Sequence, residues 1–199
     1  MTGKAKLGLA LALVAAAGGA GLSAFLMRGM SARAKPWAIE ALVARRLRHL
    51  AVPRGARELQ NLLTATPEVR ARGLEHFADH CASCHANDGS GDTTMGRNFY
   101  PPVPDMRTAE TQELRDGELF YIIENGIRFT GMPAWGTNSL EDDEDTWALV
   151  HFIRHLESLT PAELEEMEGF NPKSRKAFEE EEEIRRFLAG EDLPKRNEH

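Results

Sequence analysis

Apolar residues are distributed along this chain in three different ways, and each predicts a different kind of segment. From Leu7 to Met27 there is no alternation at all: 21 residues carry no charge and are rich in Leu, Ala and Gly. A helix needs roughly 20 apolar residues to cross a bilayer, so the run predicts a transmembrane helix. Lys4 and Lys6 precede it, as they would a signal peptide or a signal anchor. The run is longer than the about 7–15 apolar residues of a cleaved signal, although Ala32-Arg33-Ala34 has the small-x-small form a signal peptidase accepts. We read residues 1–35 as a short cytoplasmic stub and a retained signal anchor. No cysteine lies just after the run, so a lipid anchor is not expected. Arg28, Arg33 and Lys35 lie immediately beyond it and oppose export of the C-terminal part of the chain by the positive-inside rule.

The second pattern is amphipathic. Between Ala38 and Leu50, Ile39, Leu42, Val43, Leu47 and Leu50 mark one helical face while Arg45, Arg46 and Arg48 crowd the rest. Such a helix rests on anionic headgroups or docks on a membrane partner. Pro53 and Gly55 break it, and 54–66 reads as a linker, so 36–66 forms a basic helix and linker.

The third pattern is the helical spacing of a soluble core. Thr66-Pro67-Glu68 opens a helix with a capping hydroxyl, a proline where its missing N–H is harmless, and an acid suited to the dipole. Val69, Leu74, Phe77, Ala78 and Cys81 then recur on one side. Residues 87–104 are loop, dense in Gly, Asp and Pro. Leu114 to Glu124 predicts a second helix closed by Asn125-Gly126, residues 131–139 are irregular, and Thr146 to Leu159 predicts a third. Acids from Glu141 to Asp145 precede that third helix, and Pro161 comes after it. A short acidic helix is expected to Glu168, and the run Glu179 to Glu183 reads as a solvated or disordered stretch. With no strand or repeat in view, the expected class is all-α: three main helices and long loops at 67–160, then an acidic extension at 161–199.

Composition changes this picture in one respect. Apolar content of 42% and charged content of 28% are ordinary, but the charge is divided unevenly. Residues 1–66 carry +8, 67–160 carry −10 and 161–199 carry −5. The acidic middle segment argues against nucleic acid, which needs clustered positive charge, and is compatible with a basic protein partner. Two cysteines three positions apart exclude a disulfide framework and a complete cysteine zinc site from this chain alone.

Those two cysteines sit in Cys81-Ala82-Ser83-Cys84-His85, the C-x-x-C-H haem attachment motif. Two thiols one helical turn apart can each add across a haem vinyl group, and the adjacent imidazole then lies beneath the iron. A thioredoxin-type pair would sit beside a βαβ pattern, and zinc would need more ligands. A second axial ligand is expected, and among Met30, Met95, Met106, Met132 and Met167 the best placed is Met132. It lies in Gly131-Met132-Pro133-Ala134-Trp135-Gly136, where Gly and Pro fix a loop that can present a thioether. Met95 is too close in sequence to His85 to cross the ring, and Met106 reads as packing. The rival histidines lie on helices. His76 and His80 flank the motif, while His151 and His155 share a face, either as a metal pair or as two solvent-facing side chains, the commoner outcome.

These residues together resemble a class I (mono-haem) cytochrome c over about 67–160. The resemblance rests on Cys81-Ala82-Ser83-Cys84-His85, on Gly131-Met132-Pro133-Ala134-Trp135, and on two helix signatures. Gly73 and Phe77 match the family's first helix, and Leu149, Phe152 and Leu156 its last, which crosses the first at that glycine. It implies one haem c attached through Cys81 and Cys84, with His85 and Met132 as axial ligands and a carbonyl of Pro101 or Pro102 accepting the His85 Nδ1 proton. Trp135, Tyr100 and Arg97, near the ligand loops, are candidate propionate contacts, and Trp147 reads as core or surface of the last helix. Because haem is attached to this motif outside the cytoplasm, the resemblance also implies a periplasmic domain on a bacterial inner membrane, despite Arg28, Arg33 and Lys35. The expected function is one-electron transfer without a small-molecule substrate or catalytic group. The protein would be a tethered carrier or the cytochrome subunit of a respiratory or dehydrogenase complex, with redox protein partners. The alternatives are a haem enzyme or sensor with an open or labile distal site, and a thiol redox protein.

Overall fold

The computed structural model describes residues 3–137, 140–173 and 175–190, with backbone only at 140–142, 175, 176 and 181. The first two residues of the cytoplasmic stub and the last nine of the acidic extension lie outside the described residues. Among the described residues there are helices and no strand, so the all-α expectation holds. In chain order the helices are α1 (Gly3–Met27), α2 (Ala38–Ala51), α3 (Arg54–Arg57) and α4 (Pro67–His76), then a π-helical turn (Phe77–Cys81). Next come α5 (Ala82–His85), α6 (Thr94–Asn98), α7 (Ala109–Gln112), α8 (Asp116–Asn125) and α9 (Leu140–His155). A 3-10 turn (Leu156–Ser158), α10 (Pro161–Phe170) and α11 (Arg175–Leu188) complete the chain.

Helix α1 is 25 residues long, ~38 Å at 1.5 Å per residue, enough to cross a bilayer, and none of it is buried against the rest of the chain. The core lies where α4 crosses α9. A Cβ on Gly73 would collide with the Ala148 carbonyl and the Phe152 Cβ, so only glycine permits this approach. The Phe77 and Phe152 rings meet beside it with centroids 5.1 Å apart. Around that junction Leu74, Ala78, Leu149, Val150, Ile153 and Leu156 are buried. From α8, Leu119 and Ile123 close the core, and Phe120 stacks on Trp147 at 4.2 Å. Thr66 caps α4 as expected, its hydroxyl accepting the Val69 N–H at 3.3 Å.

Several segments differ from the expectation. The helix beginning at Pro67 does not run on as one α-helix: it widens into the π turn, where the Ala82 N–H reaches back five residues to the Phe77 carbonyl. The buried core also runs past residue 160, because Met167 of α10 is wholly inaccessible within it. The Asn171 amide after α10 donates to the Ala78 carbonyl (2.9 Å) and to Asn87 Oδ1 (2.8 Å). The segment 54–66 is tied down: the Asn61 amide donates to the Trp147 carbonyl, and His151 Nε2 lies 2.8 Å from the Leu63 carbonyl oxygen. His155 pairs with Glu163 at 2.8 Å. Both histidines are therefore half-buried and engaged, neither solvent-facing nor a metal pair, because chain from before and after the domain folds over α9. The acidic run Glu179 to Glu183 lies inside α11.

Helix α2 packs on the haem-motif domain with its polar side. Ala41 is half-buried against it and Val52, just past the helix end, is buried. Arg45 pairs with Glu110 at 2.7 Å, Arg48 donates to the Glu110 carbonyl, and the Tyr100 hydroxyl bonds the Glu40 carboxylate. His49 Nδ1 lies 3.2 Å from a carboxylate oxygen of Glu118, whose side chain is only 6% exposed. That carboxylate also accepts the Arg115 N–H at 3.0 Å and lies 4.0 Å from the Arg57 guanidinium. Burial alone would raise the Glu118 carboxyl, but the Arg115 N–H, His49 and Arg57 outweigh it and hold it below the ordinary glutamate range.

Candidate functional site

The three motif residues are carried at the end of the helical stretch that begins at Pro67. Cys81 closes the π turn, Cys84 and His85 stand on α5, and both cysteines are half-buried. Ala86 then ends the helix with φ at +61°, a conformation L residues rarely adopt, so the chain reverses immediately after the imidazole. The next loop wraps back over the motif. The Gly91 N–H donates to the His85 carbonyl (2.8 Å) and the Thr93 hydroxyl to the Cys84 carbonyl (3.2 Å), while the Gly96 N–H returns to Thr93 Oγ1 (2.8 Å). A side chain at Gly96 would strike the Cys84 and Gly91 carbonyls, so the loop can lie this close only with glycine there. Thr93 was not singled out by motif, though a hydroxyl three residues ahead of a glycine at a helix start is a capping signal.

Burial sets the chemistry of the motif. It pushes the Cys81 thiol up to about 12, with Cys84 adding a smaller push, and drops His85 to about 4, so the imidazole is neutral at ordinary pH with a lone pair to give. His85 Nδ1 is buried with no hydrogen-bond partner. A buried polar atom left unpaired is costly, so Nδ1 calls for a partner, while the neutral imidazole keeps the lone pair of its other ring nitrogen for a metal. The expected bond from Nδ1 to a Pro101 or Pro102 carbonyl is not formed in this structure; both prolines are exposed, in the loop after α6, with the Tyr100–Pro101 peptide cis.

The Met132 loop is held on the far end of α8. Gly126 terminates that helix at φ +64°, where a side chain would meet the Pro133 and Ala134 backbone. The Ile127 N–H donates to the Met132 carbonyl (3.1 Å) and the Met132 N–H to the Thr130 hydroxyl (3.1 Å). Trp135 and Gly136 N–H groups donate to the carbonyls of Ile123 and Glu124, both at 3.1 Å. Gly131 lies against the Phe99 ring, leaving no room for a Cβ. The loop reaches the motif helix through Trp135, whose ring meets His80 edge-on at 5.6 Å, and His80 in turn stacks on His76 at 4.6 Å. Met132 is half-buried in this loop. Of the other methionines, Met106 and Met167 are core residues, while Met30 and Met95 are exposed.

The candidate propionate contacts are placed unequally. Trp135 is 38% exposed beside the motif helix, whereas Arg97 pairs with Asp92 and Tyr100 with Glu40. Among the described residues no three His, Cys, Asp or Glu side chains gather as a metal site, so His85 is not part of a protein-only cluster. Residues that contribute to the site without carrying a motif are Asn171 and Met167, which brace the π turn from α10.

A comparison with protein families extends this geometry. Residues 68–153 match the family model described as cytochrome c oxidase, cbb3-type, subunit III. The matched span takes in α4 except Pro67, the π turn, the attachment motif, the Met132 loop and nearly all of α9. With Cys81, Cys84 and a neutral His85 held on adjacent turns behind an apolar N-terminal helix, residues 68–153 are a c-type cytochrome domain.

Proposed function

We propose that the protein moves single electrons through one covalent haem c, tethered to a membrane by α1. The observation that carries this reading is the motif itself: two thiols and a desolvated, neutral imidazole on consecutive turns, with the loop 91–96 fastened over them. Cys81 and Cys84 would hold the group by thioethers, and His85 would bind iron from one face. Met132 would bind from the other, supported by its place in a loop pinned to α8 and joined to the motif helix through Trp135 and His80. When bound, the haem supplies the one-electron iron couple, and methionine ligation favours the reduced state. The chain's own part is to attach and orient the group, exclude water from the Phe77 side, and present a docking surface. Phe77 stands 6.4 Å from the His85 ring and fills that side. Pro101 or Pro102 remains the proposed acceptor for His85 Nδ1, on the strength of that atom's unpaired burial. Of the propionate contacts, Trp135 is the best supported, because Arg97 is paired with Asp92 and Tyr100 with Glu40.

The family description supports a place as cytochrome subunit of a membrane oxidase or related respiratory complex, with redox proteins as donor and acceptor. The chemistry of haem attachment supports the periplasmic side of a bacterial inner membrane for the domain. The test is optical. Denatured protein should retain haem, and the resting ferric form should be low-spin with a weak near-infrared methionine–iron band that Met132→Ala abolishes. A high-spin ferric resting state would instead point to an open distal site and a haem enzyme or sensor.

A further inference from the structure

Helix α2 is mounted with its polar side inward. The residues facing the domain are Ala41, Arg45, Arg48 and His49, fastened to Glu110 and Glu118, while Glu40 is bonded to Tyr100. The outward side is the apolar stripe: Ile39, Leu42, Val43, Leu47 and Leu50 are between 46% and 75% exposed. An amphipathic helix in a soluble protein normally does the opposite, so this stripe is built to meet something outside the chain.

We propose that the stripe lies in the headgroup region of an anionic bilayer, with α2 parallel to the membrane plane as a rigid foot for the haem domain. The proposal rests on α1 spanning that membrane. Continuity argues for it: ten residues separate α1 from α2, and the Arg28 guanidinium lies 5.6 Å from the Trp37 ring centroid, so the end of one helix touches the start of the next. Trp37 is 56% exposed, and tryptophan is a residue of membrane interfaces. Charge argues for it as well. Arg28, Arg33 and Lys35 lie in the connection and Arg46 within the stripe, positions from which long cationic side chains reach lipid phosphates. The single acid in residues 1–57, Glu40, is turned onto Tyr100. Apolar burial and attraction to anionic lipid are the two contributions an interfacial helix combines. Because the inward side is fastened by Glu110, Glu118 and Tyr100, the domain would not swing on a free linker.

The full-length holoprotein, reconstituted in nanodiscs of phosphatidylcholine and phosphatidylglycerol containing a trace of photoactivatable phosphatidylcholine, provides the test. Mass spectrometry should find lipid adducts on α1 and on 39–50, with none on α10, and the adducts on 39–50 should fall several-fold in discs lacking phosphatidylglycerol. In parallel, a Leu47→Cys variant should react several-fold more slowly with a charged maleimide than Glu165→Cys, an exposed position on α10. Adducts on α1 but none on 39–50, with Leu47→Cys reacting as fast as Glu165→Cys, would overturn the proposal and leave the tether intact. Absence of adducts on α1 would sink the tether and this inference together. Slow labelling at Leu47→Cys without lipid adducts would also overturn it, in favour of a covering protein.

Discussion

Gly73 shows how much one missing methyl group decides. The crossing of α4 and α9, and with it the pitch of the haem-bearing segment, depends on the absence of a side chain there. Gly73→Ala forces two backbones apart, and overpacking of this kind costs about 1–3 kcal/mol. Denaturant unfolding of the holoprotein should show at least that loss, with the haem spectrum of the folded fraction little changed. Glu118 makes a second residue-scale prediction. Its carboxyl is held below the ordinary range in the fold, so its contribution to stability is fully present above the unfolded-state value and fades as pH falls through the folded one. Glu118→Gln should therefore narrow the stability gap between neutral and mildly acidic pH, read as Tm against pH. The residue scale is also where the sequence is most explicit. Cys81, Cys84 and His85 are recognised through spacing of a few positions, which any helix preserves. The crossing at Gly73 and Phe77, whose partners Ala148 and Phe152 lie far along the chain, was legible only through the family resemblance. The roles of His151 and Glu118 were not, because their partners lie 88 and 69 positions away.

At the scale of elements, α10 carries more than its acidic composition implies. A helix rich in Glu reads as solvated, yet Met167 is wholly buried and Asn171 reaches the Ala78 carbonyl at the π turn. Met167→Ala should cost about 2–5 kcal/mol, as truncations at filled core sites do. Because α10 braces the turn that precedes Cys81, the same variant should loosen the haem surroundings, visible as increased exchange of amides in 77–85. Thr66→Ala, which removes a cap at the other end of the same stretch, should cost about 1 kcal/mol and leave those amides protected. Helix limits were legible where a cap or a terminating glycine announced them, at Thr66 and at Asn125-Gly126. They were illegible at α2's orientation, since a helical pattern states which faces differ and not which one turns inward; that choice was made by Glu110 and Glu118 on another element.

Taken as a whole, the molecule separates its charges. The basic N-terminal part carries +8 and the acidic domain −10, with the contact between them made by Arg45–Glu110 and by His49 and Arg57 around Glu118. An acidic domain of this size steers small reagents by their sign. Reduction by a cationic one-electron reagent should outpace that by an anionic reagent of similar potential at low ionic strength. The two rates should converge as salt rises, in stopped-flow measurements, because exposed charges are screened beyond about 10 Å at 0.1 M. One detail of the stretch from Pro67 to His85 bears on the entire assembly. The π turn at 77–81 holds one residue more than an α-helical turn would. Each residue advances a helix by about 100°, so deleting a single position there would leave the letters Cys-x-x-Cys-His intact while turning them away from the Met132 loop. The attachment word is thus spelled by five residues, but its compass bearing is kept by a sixth that appears in no motif.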